Sequence, residues 1–189
     1  MASAQPRLIT ADEFLAIEWP DSDVKAELDH GVIRVLRMMA GGSNAHSRVQ
    51  RNILVALDLA LRGTGCSPHG SDLAVRTTDL DVRYPDVSVF CGHVEEADDK
   101  IRAFDDPKLV VEVLSPSTRD KDLNEKLAEY RALSGLAHIL YADPEAGSLR
   151  LWTRLSARGW RDEELEPGDE VDLSELGIRL AWTDIFARR

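Results

Sequence analysis

The stretch PKLVVEVLSPS, residues 107–117, carries the strongest fold signal in this chain. Its aliphatic residues between Leu109 and Leu114 predict a β-strand that is covered on both faces. Glu112 interrupts this run, and moving an ionised carboxylate out of water costs several kcal/mol unless a partner compensates for the lost hydration. A carboxylate at this point therefore indicates a nearby cation, either a bound ion or a lysine or arginine side chain.

Composition places the chain among ordinary globular proteins. Its 189 residues suit one domain, and 43% hydrophobic with 30% charged residues supply enough material for a core. No apolar run approaches the roughly 20 residues that cross a bilayer, so we expect no membrane partner. The first residues, MASAQPRLIT, lack a charged start followed by an apolar stretch, so we expect no signal peptide.

Charge and cysteine content narrow the function classes. The net charge of −11 disfavours a simple nucleic-acid-binding module, because neutralising phosphates requires clustered lysine and arginine. Much of that charge comes from the acidic stretch 161–172, and a metal-dependent enzyme remains compatible with it. Cys66 and Cys91 form no CxxC motif, so we expect reduced cysteines and a cytoplasmic location.

Local patterns predict the order α, β-hairpin, α, ββ, β, α, ββ, which is typical of an α/β fold with a mixed sheet. Thr10 and Glu13 fit a capping box, so the first helix is expected to run to about Trp19, before Pro20. The later elements predicted from the sequence are a hairpin turning at 29–31, a helix over 43–62, strands over 72–77 and 86–91, a helix over 121–133, strands over 136–143, 148–155 and 159–165, and a terminal helix over 182–188, with polar loops over 78–84 and 93–106.

Two carboxylates are expected to lie close together in this fold. Asp86 opens the strand before that of Glu112, and two neighbouring carboxylates repel each other unless a cation or a shared proton lies between them. We therefore expect at least one raised pKa in the metal-free chain. A small set of carboxylate oxygens suits Mg²⁺, which keeps several waters. Lys126, at the edge of the inner face of the next helix, and Glu27, on the hairpin, complete the candidates.

Four segments together resemble a known family: AELDHGVI (26–33), RYPDVSVF (83–90), LVVEVLSPST (109–118) and DLNEKLAEYR (122–131). They are similar to the Uma family of restriction endonucleases, from about Leu15 to Asp143, with a continuation to the C-terminus. The resemblance implies a PD-(D/E)XK nuclease fold, in which helices flank a central mixed sheet. It also implies one nuclease-like domain over 1–189, with a core at about 15–143 and C-terminal strands and a short helix over 144–189.

The resemblance also implies a role for particular residues. Asp86 and Glu112 would be catalytic residues that hold Mg²⁺ or Mn²⁺ together with the backbone carbonyl of Val113. Leu114 stands where the wider superfamily has its lysine, so Lys126 would supply the amine from the helix, and Glu27 would match the glutamate of the family's hairpin. The implied function is metal-dependent hydrolysis of phosphodiester bonds in nucleic acid, with DNA as the expected substrate; a homodimer is suggested separately by apolar residues in the tail.

A different class of function stays open, namely a catalytically inactive module of the same fold that binds nucleic acid or protein. Leu114 in the lysine position and the acidic composition favour it. The structural alternatives for the individual candidates are an ion pair for Glu112, a turn position for Asp86, a solvated helix face for Lys126, and cross-strand pairing with Lys25 or Arg34 for Glu27.

Other residues have weaker functional signals. His46, near a helix start, is either substrate-facing or structural, and the remaining histidines show no metal-ligand spacing that would indicate zinc. Ser115 and Ser117 are expected to cap the following helix, and Cys91 is expected to pack within its strand. Three aromatic residues in the tail either form a dimer contact or close the core: Trp160, Trp182 and Phe186.

Overall fold

The computed structural model describes residues 7–19, 25–36, 43–92, 100–116 and 119–188. Three residues discussed above lie outside these ranges: Pro20, the predicted helix stop, Ser117, a predicted helix cap, and His93, one of the histidines without zinc-ligand spacing. Within the described part of the chain, no helix is both long and apolar enough to span a membrane.

Strands are the commonest regular structure in the described part of the chain, and they form three sheets. Their order is β2-β1-β5-β4-β7 in a five-stranded sheet, β11-β10-β9-β8-β6-β3 in a six-stranded sheet, and β12-β13 in a hairpin. The strands are β1 Lys25–Asp29, β2 Val32–Leu36, β3 Cys66–Gly70, β4 Ala74–Thr78, β5 Asp81–Arg83, β6 Val87–Cys91, β7 Ala103–Phe104, β8 Leu109–Val113, β9 His138–Asp143, β10 Ser148–Arg154, β11 Trp160–Leu165, β12 Glu170–Leu173 and β13 Ile178–Ala181.

Helices cover the six-stranded sheet and close the ends of the chain. They are α1 Ala11–Leu15, α2 Asn44–Ala60, α3 Arg119–Lys121, α4 Leu127–Ala132 and α5 Trp182–Phe186, with a π-helical segment Asp122–Lys126 between α3 and α4 and a 3₁₀ turn at Ser174–Leu176.

The six-stranded sheet is mixed and packed on both faces. Strand β8 pairs antiparallel with β6 and parallel with β9. The aliphatic stripe of α2, led by Val49 and Ile53, packs in one core cluster with Val87 and Val111. Tyr130 of α4 packs in a second cluster with residues of the opposite face. This is the nuclease-like α/β architecture that the sequence predicts, and its helix-flanked mixed sheet is confirmed.

The N-terminal elements form as predicted, with one different boundary. Thr10 and Glu13 make both hydrogen bonds of the capping box, but α1 ends at Leu15 rather than near Trp19. The β1–β2 hairpin turns through His30 and Gly31, whose φ angles are 50° and 75°. Positive φ at both central positions is the requirement of a two-residue hairpin turn, which explains the glycine there.

Five strands are not predicted from the sequence. Strand β5 lies where a polar turn was predicted, because the charged side chains of Asp81 and Arg83 are buried by ion pairing rather than exposed. Strand β3 is polar, carries Pro68 and lies at the sheet edge, where proline is tolerated. Strands β12 and β13 form a short hairpin in the tail. The two-residue strand β7 also falls within a predicted loop.

The cysteines differ from expectation. Cys66 and Cys91 are directly opposite each other on β3 and β6, and a disulfide joins them. The expectation of reduced cysteines is therefore wrong for this structure. Sequence spacing could not show the pairing, because it depends on β3, a strand that the hydrophobic pattern does not reveal.

The aromatic residues of the tail pack within the chain. Trp182 and Phe186 are partly buried against the α2 core cluster, with ring centroids 4.6 Å apart. Trp160 lies under the guanidinium of Arg154, 4.3 Å from ring centroid to Cζ. Of the two explanations offered by the sequence, this packing supports closure of the core.

Candidate active site

Asp86 and Glu112 are cross-strand neighbours at one end of the six-stranded sheet. The register of β6 and β8 pairs Val87 with Val111, so the next position places Asp86 opposite Glu112. Oδ2 of Asp86 accepts a hydrogen bond of 2.7 Å from the backbone N–H of Val113. Both carboxylates are buried, with 9% and 3% of their residue surfaces exposed. The predicted pair is therefore brought together at a sheet end.

Glu112 is held by two side chains of the following helix. Its Oε1 accepts hydrogen bonds from Nζ of Lys126 at 3.0 Å and from the hydroxyl of Tyr130 at 2.7 Å. Burial raises the pKa of Glu112, and the ammonium of Lys126 opposes that rise. Asp122 and Asp86 raise this pKa further. The raised carboxyl pKa predicted for the metal-free chain is thus found at Glu112, and its largest cause is burial rather than repulsion between carboxylates.

Lys126 points inward, not into solvent. Its Nζ lies 3.0 Å from Glu112, 2.9 Å from Oδ1 of Asp122 and 3.7 Å from Oε1 of Glu27. Burial works against the charged amine, but Glu112, Glu27 and Asp122 outweigh it and raise the pKa of Lys126. The solvated helix face considered from the sequence is therefore excluded, and a protonated ammonium lies among three carboxylates.

The π-helical segment explains why three side chains can point into the site. Asp122, Lys126 and Tyr130 follow at steps of four residues. Such a step overshoots the α-helical turn of about 3.6 residues. It falls short of the wider π turn, whose hydrogen bonds join residues five apart. The overshoot in the α turn and the shortfall in the π turn rotate the side chains around the helix axis in opposite directions. One π turn followed by one α turn therefore cancels this rotation and keeps all three residues on the inner face.

Glu27 reaches the site from the other sheet. Its Oε1 faces Lys126, while its Oε2 lies 3.4 Å from both Nη1 of Arg83 and Nζ of Lys121. Arg34 is opposite Glu27 in the β1–β2 register but pairs with Asp29. The cross-strand pair with Arg34 is therefore excluded, and Glu27 joins the two sheets at the site.

Arg83 is a neighbour of the site that the sequence analysis missed. The residue has no exposed surface, and its guanidinium donates to Glu129, Asp29 and Glu27. Burial opposes its charge, but Glu129, Asp29 and Glu27 raise the pKa of Arg83. Its position three residues before Asp86, in RYPD, was the available signal. Arg83 neutralises carboxylates behind the site and fixes Glu27 from that side.

His46 is also part of this region. Its Nε2 lies 3.4 Å from Oδ2 of Asp86, and the residue is 8% exposed. The hydrogen bond to Asp86 raises the pKa of His46, with a smaller contribution from the Val113 backbone. The sequence placed His46 at a helix start but did not show which carboxylate that helix start approaches.

A second acidic group lies at the hairpin turn. Ligand atoms of Asp29, His30 and Asp81 all lie within 4.8 Å of one another, which is compatible with a metal ion. This corrects the conclusion that His30 has no partners with ligand spacing, because β5 supplies Asp81. However, both carboxylates already have partners within the protein. Asp29 accepts a hydrogen bond from Arg83 at 3.0 Å, and Asp81 accepts one from the backbone N–H of His30 at 2.6 Å.

The sheet end carries oxygen donors of the kind that bind divalent cations, but among the described residues only Asp29, His30 and Asp81 bring three ligand atoms within 4.8 Å of one another. Asp86, just before β6, lies opposite Glu112 of β8, and Val113 offers a backbone carbonyl at the end of β8. Oxygen donors of this kind suit the hard ions Mg²⁺ and Mn²⁺. Burial raises the pKa of Glu112 although Lys126 opposes the rise, so the charged form of this carboxyl group is disfavoured in the metal-free protein.

Comparison with known proteins agrees with the fold. A family model described as "Putative restriction endonuclease", Uma2, matches residues 11–184. A crystal structure from Anabaena variabilis, described as "a putative nuclease belonging to DUF820", has a TM-score of 0.73 at 21% identity. The match covers 95% of this chain and 98% of that one.

Two proteins of Synechocystis sp. are similar in sequence. One, described as "Uncharacterized protein sll1609", is 28% identical over 180 residues, which are 94% of this chain and 99% of that protein. The other, described as "Uncharacterized protein slr1290", is 28% identical over 149 residues, which are 78% of this chain and 77% of that protein.

Proposed function

The chain belongs to the Uma2 family, described as "Putative restriction endonuclease", and we propose that it is a metal-dependent endonuclease acting on nucleic acid, with DNA as the first substrate to test. The observation that carries the proposal is the cross-strand placement of Asp86 beside Glu112, with the ammonium of Lys126 3.0 Å from Glu112. Carboxylates that hold a cation next to a fixed ammonium suit attack of water on a phosphodiester.

Each residue has a distinct task in this proposal. Asp86, Glu112 and the Val113 carbonyl hold Mg²⁺ or Mn²⁺, and the bound ion supplies charge stabilisation and an acidified water. Because Lys126 is protonated, it acts as a hydrogen-bond donor that orients water or the phosphate, not as a general base. Glu27 holds Lys126 from the opposite sheet and tunes its position.

Cleavage and ion binding test the proposal together. We expect purified protein to cleave supercoiled DNA or an RNA probe with Mn²⁺ or Mg²⁺, and Glu112→Ala and Asp86→Ala each to abolish cleavage. The matched control is Glu170→Gln, at an exposed position on β12, which should cleave like the parent. Cleavage that survives both Ala substitutions would overturn the assignment of the site.

An inactive module of the same fold is the second candidate. Lys126 already neutralises Glu112, and Leu114 occupies the position of the superfamily lysine while packing in the second core cluster. The same experiment separates the two candidates. The module would be favoured if the parent and Glu112→Ala bind nucleic acid equally well without an added ion and neither protein cleaves it.

The proposal also includes one domain over 1–189, a homodimer and a cytoplasmic location. Light scattering after gel filtration measures the oligomer, and limited proteolysis tests whether the tail separates from the core. The redox state of Cys66 and Cys91 in cells tests the location, because the cytosol keeps most thiols reduced.

A further inference from the structure

Lys25 lies on β1, next to the segment that leads into Asp86. The antiparallel register of β1 and β5 pairs Leu28 with Val82. Continued past the end of β5, this register places Lys25 beside Pro85, the residue before Asp86. The fold therefore puts a cation close to one of the two candidate carboxylates.

Lys25 also lies on the face of β1 that is turned toward the site. Successive side chains of a strand point to opposite faces. Ala26 and Leu28 pack in the core cluster that contains α1, so Lys25 and Glu27 share the other face. Glu27 is on the side of the site, because its Oε1 lies 3.7 Å from Nζ of Lys126. Lys25 is thus on the same side as the candidate active site.

The ammonium of Lys25 is fixed, but among the described residues no carboxylate forms an ion pair with it. Its Nζ donates to the backbone oxygen of Ser71 at 2.6 Å and lies 5.4 Å from the centroid of the Tyr84 ring. An ammonium has three donors, so these contacts leave donors available to an anion. In contrast, Lys121 and Lys126 already pair with carboxylates.

Carboxylates act on Lys25 from a longer range. Burial lowers the pKa of Lys25, while the charges of Asp72, Asp86, Glu27 and Glu112 oppose that fall. A phosphate that approaches Asp86 and Glu112 is repelled by the same carboxylates. A fixed ammonium beside them offsets this repulsion, because opposite charges attract most strongly at short range and away from bulk water.

We propose that Lys25 binds a backbone phosphate of the nucleic acid and so holds the strand against Asp86 and Glu112. This inference rests on the proposed function and adds a substrate-binding residue to the same site. Lys25 supplies charge and hydrogen-bond donors, and no bond is made or broken at its amine. Because a phosphate contact carries no base information, the contribution should be alike for all sequences.

The salt dependence of binding tests the contact without a cleavage assay. For duplex DNA, each neutralised phosphate steepens the plot of log binding constant against log salt concentration by about 0.9. Lys25→Met should therefore reduce the slope by about 0.9, and Lys25→Arg, which keeps the charge, should retain it. Between about 50 and about 200 mM salt, the parent should then lose roughly threefold more affinity than Lys25→Met.

Fluorescence anisotropy of a labelled, mixed-sequence DNA duplex measures these slopes. The titrations are made in EDTA, where metal-dependent cleavage cannot occur. If binding requires an ion, Ca²⁺ replaces EDTA for every protein, the duplex is checked on a gel for cleavage, and the difference between slopes is compared. Melting curves establish that each variant is folded.

Lys108→Met is the matched control. The Nζ of Lys108 also donates to a backbone oxygen, that of Gly135 at 3.4 Å. Lys108 precedes β8, however, at the opposite end of the strand from Glu112. Both methionine variants remove one positive charge, so an effect of net charge alone would be equal in the two. Lys108→Met should keep the slope of the parent.

Acetylation of the parent protein supplies a second measurement that needs no variant. A saturating concentration of the duplex should slow acetylation of Lys25, because a bound phosphate covers its amine. Lys108 should react at the same rate with and without the duplex. Mass spectrometry of the digested protein measures both rates.

The outcomes separate this inference from the proposed function. A parent that binds the duplex with a slope unchanged by Lys25→Met, or changed equally by Lys108→Met, would overturn the role of Lys25 alone. A slope reduced equally by Lys25→Arg, or acetylation of Lys25 that the duplex does not slow, would do the same. A parent that binds neither DNA nor RNA, in EDTA or with Ca²⁺, would overturn the proposed function and, with it, this inference.

Discussion

The ammonium of Lys126 lies 3.0 Å from Oε1 of Glu112, and both side chains are buried between the helix and the sheet. Without a metal ion, this lysine is the nearest cation to Glu112 among the contacts of the described residues. The catalytic candidate is therefore also a structural requirement of the metal-free protein. This double role determines how variants at the site will behave.

Replacing Lys126 with methionine should destabilise the protein strongly. The change leaves Glu112, Asp122 and Glu27 without this shared cation, and breaking a buried pair typically costs about 3–5 kcal/mol. Urea unfolding in EDTA measures the loss. Added Mn²⁺ should restore part of the stability, because the ion binds only the folded chain.

Lys121→Met is the matched control for that variant. Its Nζ also lies 3.4 Å from Glu27, but 31% of its side chain is exposed, so water screens the pair. We expect a loss of about 1 kcal/mol or less. Equal losses in the two variants would contradict the structural role of Lys126.

Tyr130→Phe should be more damaging than Tyr141→Phe. The hydroxyl of Tyr130 donates to the carboxylate of Glu112 at 2.7 Å, whereas that of Tyr141 donates to the backbone carbonyl of Asp122 at 2.9 Å. Hydrogen bonds to charged groups contribute about 1.5–3 kcal/mol, and neutral ones about 0.5–1.5. Chemical unfolding of the two variants in parallel measures both losses. The reverse order would show that Glu112 is held mainly by Lys126.

Asp86→Asn should separate ion binding from folding. Asparagine keeps an oxygen that can accept from the Val113 N–H, so the metal-free unfolding temperature should equal or exceed that of the parent. The stabilisation that Mg²⁺ gives the parent should disappear. Thermal melts with and without Mg²⁺ test both expectations. Clear destabilisation in EDTA would instead assign Asp86 to a structural ion pair with His46.

His138 should make the protein acid-sensitive. The ring is fully buried, and burial lowers its pKa from 6.5 to about 4. Between these values the unfolded chain takes up a proton that the folded chain does not, so the free energy of unfolding falls as the pH is lowered. The contribution is complete above pH 6.5 and lost by about pH 4, on the order of 3 kcal/mol.

His138→Gln should flatten this part of the pH dependence in a urea-unfolding series. His30→Gln is the control with the opposite sign, because its hydrogen bond to Asp29 raises the pKa of the exposed His30. Its contribution is present at low pH and is lost as the pH rises. If the free energy of unfolding depended on pH in the same way in the parent and in His138→Gln, the assignment of a buried, neutral His138 ring would be contradicted.

The Cys66–Cys91 disulfide predicts a dependence on reductant. It closes a loop with a sequence separation of 25, which corresponds to about 3 kcal/mol of stabilisation. Cys66→Ser with Cys91→Ser should unfold earlier than the oxidised parent and match the parent in dithiothreitol. Two titratable thiols in denatured, unreduced protein would contradict the bond.

Local sequence patterns were sufficient to predict several elements of the fold. The capping box of α1, the His30–Gly31 turn and strand β8 each depend on residues only a few positions apart, so their patterns are visible in the chain. The candidate carboxylates followed from the same kind of pattern, since Glu112 stands out within an apolar strand. The resemblance to the family strengthened the case for Lys126 and Glu27, whose individual signals are weak.

The sequence by itself determined the mixed α/β class, the strand that holds Glu112 and the candidates for the site. Tertiary structure alone decided that His46 faces Asp86, that Arg83 is buried against Glu129, and that Cys66 meets Cys91. These contacts join segments far apart in the chain, and their geometry depends on strand register and helix placement. Both are set by burial of the whole core, which no short pattern of residues can express.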